Sequence, residues 1–161
     1  MKDLLFSFEG RIPRSHYWGG TLLLTLVAVV IIFASVILFL DEDVPFSESS
    51  LVRLNSLIGM CLLYPVSALM IKRLKDRNRP LWLVVLFLAP YALILLGETF
   101  GLTASHEVVG GVYLRTPNLV GKVLETVNLC VMVFALIELG ILRGTQGDNQ
   151  WGPDPLQKSG V

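Results

Sequence analysis

Residues Lys72 to Trp82, KRLKDRNRPLW, place five bases and one acid between two apolar runs, each close to the length needed to cross a bilayer. So dense a cluster of Lys and Arg stays on the side of a membrane where positive charge is retained, the cytoplasm. It therefore fixes the direction of the helices on either side of it and, by alternation, of the whole chain. The composition agrees. Of 161 residues, 53% are hydrophobic and only 16% charged, and the mean hydropathy of +0.66 lies outside the range of ordinary soluble domains. The formal charge of zero conceals a strong segregation of charge by segment.

The hydrophobic pattern predicts four spanning helices, at about 17–40, 54–73, 81–100 and 123–142, in a single membrane domain. No charge interrupts Tyr17 to Leu40, and about 20 helical residues match the ~30 Å hydrocarbon core. A cleavable signal peptide would have a shorter apolar region and a small-residue site, whereas this run ends in Phe39, Leu40 and an acidic triplet. Tyr17 and Trp18 suit an interfacial aromatic belt. Pro65 and Pro90 fall inside the second and third runs, where a missing N–H favours a kink. Asp41 to Ser50 reads as a short exposed loop. The longest connection, Gly97 to Lys122, has two β-prone runs around Gly110-Gly111, the composition of a hairpin turn, although an isolated hairpin is marginal without a surface to pack on. The tail, 143–161, is too rich in Gly and Pro for a fifth span.

Counting Lys and Arg sets the orientation. With the N-terminus inside, the inner segments hold Lys2, Arg11, Arg14, Lys72, Arg73, Lys75, Arg77, Arg79, Arg143 and Lys158, against Arg53, Arg115 and Lys122 outside. Both termini are thus expected in the cytoplasm. Three polar segments then share the inner face: Phe6 to Trp18, Lys72 to Trp82, and Gly144 to Pro155.

Taken in order, these segments resemble the DUF805 family, small bacterial inner-membrane proteins of unknown function. That family has a GR-x-x-R-x-x-[FY]-W opening, an R-R-L-H-D-x-G-x-x-G-W middle loop and a G-x-x-G-x-N-x-[YFW]-G-x-D-P tail. Here Gly10, Arg11, Arg14, Tyr17 and Trp18 match the first, and Arg73, Leu74, Asp76 and Trp82 the second. Gly144, Gly147, Asn149, Trp151, Gly152, Asp154 and Pro155 match the third. The resemblance implies a multi-pass protein of the bacterial inner (plasma) membrane. The chain departs from the pattern at Lys72 (for Arg), Lys75 (for His), Asn78 (for Gly) and Pro80-Leu81 (for a small residue and Gly). If the family uses that histidine for proton transfer or metal binding, Lys75 cannot do so in the same way. Asn78, in contrast, tolerates the left-handed backbone that ends a helix, and Pro80 suits the start of the next one.

Two readings of the polar segments stay open. In one, Asp76 pairs with Arg11, Arg14 or Arg73, and Gly10, Trp18, Asp76, Trp82, Gly147, Asn149, Gly152, Asp154 and Pro155 build a structural cap. In the other, Arg11, Arg14, Arg73, Arg77 and Arg79 form a basic face that grips an anion, a lipid headgroup or a phosphorylated ligand. Glu138 is the main intramembrane acid and, lying near Arg143, is expected to pair with an inner-end Arg or Lys. Glu125 sits near the outer end, and Asn128 can hydrogen-bond a neighbouring helix. Cys61 and Cys130 read as small buried hydrophobes. No phosphate loop ending, metal spacing or nucleophile with a base is present, so no cofactor, metal or catalytic residue is expected. His16 and His106 are set on opposite sides of the bilayer.

The expectation is an all-α membrane protein with four transmembrane helices and a cytoplasmic polar cap, N-in and C-in. Its function is expected to be non-enzymatic, as a structural or regulatory module contacting membrane lipids, its own copy or another membrane protein, but not nucleic acid. The alternative is a subunit of a small oligomeric transporter or channel.

Overall fold

The computed structural model describes residues 2–39, 48–109 and 112–156. The loop at Asp41, Glu42 and Asp43, the Gly110-Gly111 turn and the end of the tail at Lys158 lie outside the described residues. The chain is mostly helical. A five-residue helix α1 (Lys2–Phe6) leads to α2 (Arg14–Phe39) and α3 (Glu48–Asp76). Next come α4 (Leu83–Phe100), strands β1 (Ala104–Val109) and β2 (Val112–Pro117), and α5 (Leu119–Ala135), which passes into a π-helical turn at Leu136–Ile141. Four helical stretches, Arg14–Ile37, Ser50–Asp76, Leu83–Phe100 and Leu119–Ile141, are long and apolar enough to cross a membrane.

Local chemistry sets the ends of these elements. Asn78 adopts φ 53°, with Asn78 N–H donating to Lys75 O at 3.1 Å and Arg79 N–H to Leu74 O at 2.9 Å. This is the Schellman closure that a left-handed residue allows, and it stops α3 as expected. Both interior prolines are carried within continuous helices. The helices nevertheless begin or end a few residues away from the hydrophobic boundaries. α3 reaches back to Glu48 through polar residues, and α5 starts at Leu119 rather than 123. The reason is Asn118, whose side chain accepts from Gly121 N–H at 2.9 Å and caps the helix upstream of its apolar run.

β1 and β2 pair antiparallel, Ala104 opposite Pro117 and Val109 opposite Val112, so the all-α expectation omits one hairpin. Its base is fastened to the helices. Arg115 pairs with Glu98 of α4, Asn118 Nδ2 donates to Leu102 O at 2.8 Å, and Asn118 N–H donates to Thr103 O at 3.0 Å. A Cβ on Gly121 would collide with Thr103 O. Asn118→Ala is expected to cost about 0.5–2 kcal/mol through its lost cap and to speed proteolysis within 104–117. Unchanged unfolding and cleavage rates would show that the hairpin is held by something else.

The spans pack at small residues, which let helices approach closely. A side chain on Gly20 would meet Leu69, one on Gly59 would meet Leu95, and one on Gly140 would meet Trp18. Leu69, Leu74, Phe87 and Leu139 form the centre of the core. Outward faces carry Leu22, Leu26, Phe33, Ile37, Val85 and Leu129, all exposed, as lipid contact requires. Cys61 and Cys130 are free and also exposed, so they lie on these outward apolar faces and not in the core.

Candidate functional site

The three polar segments meet at one end of the bundle, where α2 and α4 begin and α3 and the π-helical turn end. Asp76 is the hub. One carboxylate oxygen accepts from Arg11 Nη2 at 3.3 Å, and the other pairs with Arg73. The Arg11 side chain is 1% exposed and that of Arg73 0%. Burial of two cations with one anion leaves positive charge uncompensated. Main-chain oxygens take up the rest: Arg11 donates to Gly147 O at 3.0 Å, Gly152 O at 2.9 Å and Thr145 O at 2.9 Å.

The end of the last span supplies the other acceptors. The final carbonyls of a helix have no partner within it, and the helix dipole makes that end negative. Here five successive carbonyls each accept from a side chain of another segment. Arg73 Nε reaches Leu139 O at 2.8 Å and its Nη2 reaches Leu142 O at 2.6 Å, Trp18 Nε1 reaches Gly140 O at 3.1 Å, Arg14 reaches Ile141 O at 3.0 Å, and Arg77 reaches Arg143 O. In the turn itself, Leu142 N–H donates five residues back, to Ile137 O at 3.1 Å. Glu138, 6% exposed at its side chain, accepts from Arg77 Nη2 at 3.0 Å and Arg79 Nε at 2.7 Å.

The amino-terminal arm is held in the same manner. Lys72 Nζ donates to Asp3 O and, at 2.8 Å, to Leu4 O. Lys75 Nζ donates to Phe8 O at 2.6 Å and stands 5.4 Å from the centre of the Trp151 ring. The position where the family pattern has histidine is thus occupied by an ammonium tying the arm to the tail.

Glycines shape the approach of both flanking segments. Gly10, at φ 78°, turns the chain so that Arg11 enters, and Gly147 and Gly152 also have positive φ. Gly144 has no room for a side chain, because a Cβ there would overlap the Asp76 carboxylate. Asn149 Nδ2 donates to Lys75 O and Thr145 Oγ1, both at 2.9 Å, and its Oδ1 accepts from Trp151 N–H. Thr145, which motif matching did not single out, donates from both N and Oγ1 to Asp76 O at 2.8 Å. Its backbone oxygen carries no signature in the sequence, and only its closeness to Gly144 hinted at a role.

Two expected cap residues stand apart. Trp82 is 63% exposed and lies against an outward apolar surface with Val85 and Leu86, the interfacial setting that suits an indole. Pro155 lies in an exposed turn. Of the five arginines expected on an anion-gripping face, Arg11 and Arg73 are fully enclosed and present no surface to a headgroup. Arg77 is 13% exposed at its side chain and turned to Glu138, leaving Arg14 and Arg79 exposed.

Asp154 closes the tail. Backbone N–H groups of Leu156 and Gly147 hold its carboxyl below the ordinary carboxylate range. A carboxylate depressed on folding contributes stability above its unfolded value, near 3.9. That contribution fades as pH falls through the lower folded value. Tail protection from protease is therefore expected to drop in acid below pH ~4, and Asp154→Asn is expected to remove the pH dependence. An acid-insensitive tail in the native chain would contradict this.

Comparison with known proteins adds a family and no activity. The chain is 28% identical over 156 residues to "Uncharacterized protein YiiR" of Escherichia coli strain K12, covering 96% of this chain and 89% of the relative. The same values hold for the protein of that name in Escherichia coli O157:H7. No solved structure matches. A family profile described as "Protein of unknown function (DUF805)" matches residues 5–153, a stretch that contains the first two polar segments and all but the last two residues of the third. The chain therefore belongs to the DUF805 family.

Proposed function

We propose that the protein is a non-enzymatic structural or regulatory module of the bacterial inner membrane. In this reading the polar cluster faces the cytoplasm, and Arg14 and Arg79 contact anionic lipid headgroups. The excess of Lys and Arg in the segments at that end supports the orientation. The observation that carries the reading is how the charges are used. Arg11, Lys72, Arg73, Lys75 and Arg77 are committed within the chain. Arg14 and Arg79 are exposed and make one inward hydrogen bond each. Glu138, the acid a transporter subunit would draw on, is held by two arginines, which favours the structural role over that alternative.

Native mass spectrometry after gentle extraction tests the reading. Each exposed arginine near an anionic surface contributes about 1 kcal/mol. Arg14→Gln with Arg79→Gln is thus expected to reduce retained phosphatidylglycerol about thirtyfold. Unchanged retention would refute lipid contact, and a retained second copy or other chain would assign the surface to a protein partner.

A further inference from the structure

The amino-terminal arm is fastened in a way that a segment surrounded by water has no need of. α1 is five residues long, and the last four carbonyls of a helix have no partner within it. α1 packs on α3, whose side chains take three of those carbonyls and one beyond them. Lys72 Nζ donates to Asp3 O and, at 2.8 Å, to Leu4 O, Tyr64 Oη donates to Phe6 O at 3.3 Å, and Lys75 Nζ to Phe8 O at 2.6 Å. Tyr64, Ala68, Lys72 and Lys75 follow one another at helical spacing along a single face of α3. Ala68 on that face is fully buried although it stands outside the core cluster, as a small residue beneath the arm would be. At a wetted surface, water satisfies such carbonyls. Backbone at membrane depth must instead find its donors within the protein.

Helix packing sets the level of the arm. Gly20 faces Leu69 and lies six residues past Arg14, about 9 Å along α2. Tyr64 is five residues further outward on the antiparallel α3, about 7.5 Å more. The Phe6 ring stacks on Tyr64 with centres 6.2 Å apart, and the Phe8 ring meets it edge-on at 5.3 Å. Both rings therefore lie past Arg14, toward the apolar layer. Leu4 and Leu5 turn inward and pack against the core. Phe6 is 58% exposed and Tyr64 49%, and Cys61, one turn further outward, is exposed as well. The uncovered side of the arm is thus continuous with the outward apolar face of α3. Exposed acids, Asp3 and Glu9, bracket it, and carboxylates are costly to carry into hydrocarbon, so the insertion is shallow.

We propose that the arm dips into the leaflet on the side of the polar cluster, with Asp3 and Glu9 at headgroup level and Phe6 and Tyr64 in contact with lipid acyl chains. It is a membrane-inserted segment and not a free cytoplasmic extension.

Phe6→Cys, in the full chain with Cys61→Ser and Cys130→Ser, would carry a nitroxide in vesicles of phosphatidylethanolamine and phosphatidylglycerol. Its collisions with oxygen, which concentrates in hydrocarbon, would be compared with its collisions with nickel ethylenediaminediacetate, which stays in water. The oxygen-to-nickel ratio at position 6 is expected to exceed that at Gln150→Cys, in the exposed tail, about tenfold and to approach that at Phe33→Cys on an outward face. The unlabelled native chain would also be exposed to a lipid-soluble carbene precursor, which is expected to modify Phe6 and Tyr64 as it modifies Phe33. A ratio at position 6 equal to that at Gln150 would place the arm in water and overturn the proposal. Few collisions with either agent would place a second copy or another protein over the arm and overturn it equally. Absence of carbene on Phe6 of the native chain would do so whatever the nitroxide reports.

Discussion

Replacement of Asp76 by asparagine is expected to cost about 3–5 kcal/mol of folding free energy, the range for removing one partner from a buried ion pair. The site explains so large a loss. Arg11 and Arg73 are both enclosed, and neither can swing to water when its anion is gone. An asparagine amide can accept from one guanidinium, but its NH2 group would face the other, and no charge would offset either. Unfolding of the purified protein in mixed micelles measures the loss. Arg73→Gln should also destabilise, because Leu139 O and Leu142 O lose their donor. The two changes share one contact, so the double variant should fall short of their sum by about 0.5–3 kcal/mol. Strictly additive effects would sink the pairing.

Gly144→Ala is expected to be nearly as damaging although it adds a single methyl group. The added atom would overlap the Asp76 carboxylate. That group cannot yield as a free side chain would, since both its oxygens are held by arginines. Forcing a methyl into such a place costs about 1–3 kcal/mol, and displacing the carboxylate weakens both ion pairs in addition. The cause can be separated from backbone strain. Gly147 has φ +75° and open space around its Cβ position, so Gly147→Ala should cost about 1–2 kcal/mol whatever residue occupies position 76. The cost of Gly144→Ala should instead shrink on an Asp76→Ala background. Equal cost in both backgrounds would place the strain elsewhere.

What could be read from the sequence follows a physical division. The spans were legible because each is a long apolar run, and Asn78 was legible because few residues stop a helix in the left-handed conformation. The motif matches brought together Arg11, Asp76 and Gly147, which do meet. The sequence did not tell which base meets which acceptor, because most acceptors here are backbone carbonyls and every residue has one. Leu139, Gly140 and Thr145 carry no outward sign that their oxygens are taken. The direction of Cys61 was hidden for another reason: a span apolar on all sides does not show which face turns to its neighbours. Asn118 gives no such sign, because Gly121 and Lys122 in the first turn of α5 match the composition of the connection before it.

The clasp around the end of the last span has a consequence for biogenesis. Arg11 and Arg73 are translated before their oxygen partners at residues 139 to 152. Until then Arg11 and Arg73 have Asp76 to pair with but lack their carbonyl acceptors. Closure of the cluster therefore waits for the last span, and a chain interrupted before Leu139 would stay open to membrane quality control however well its first three spans had inserted.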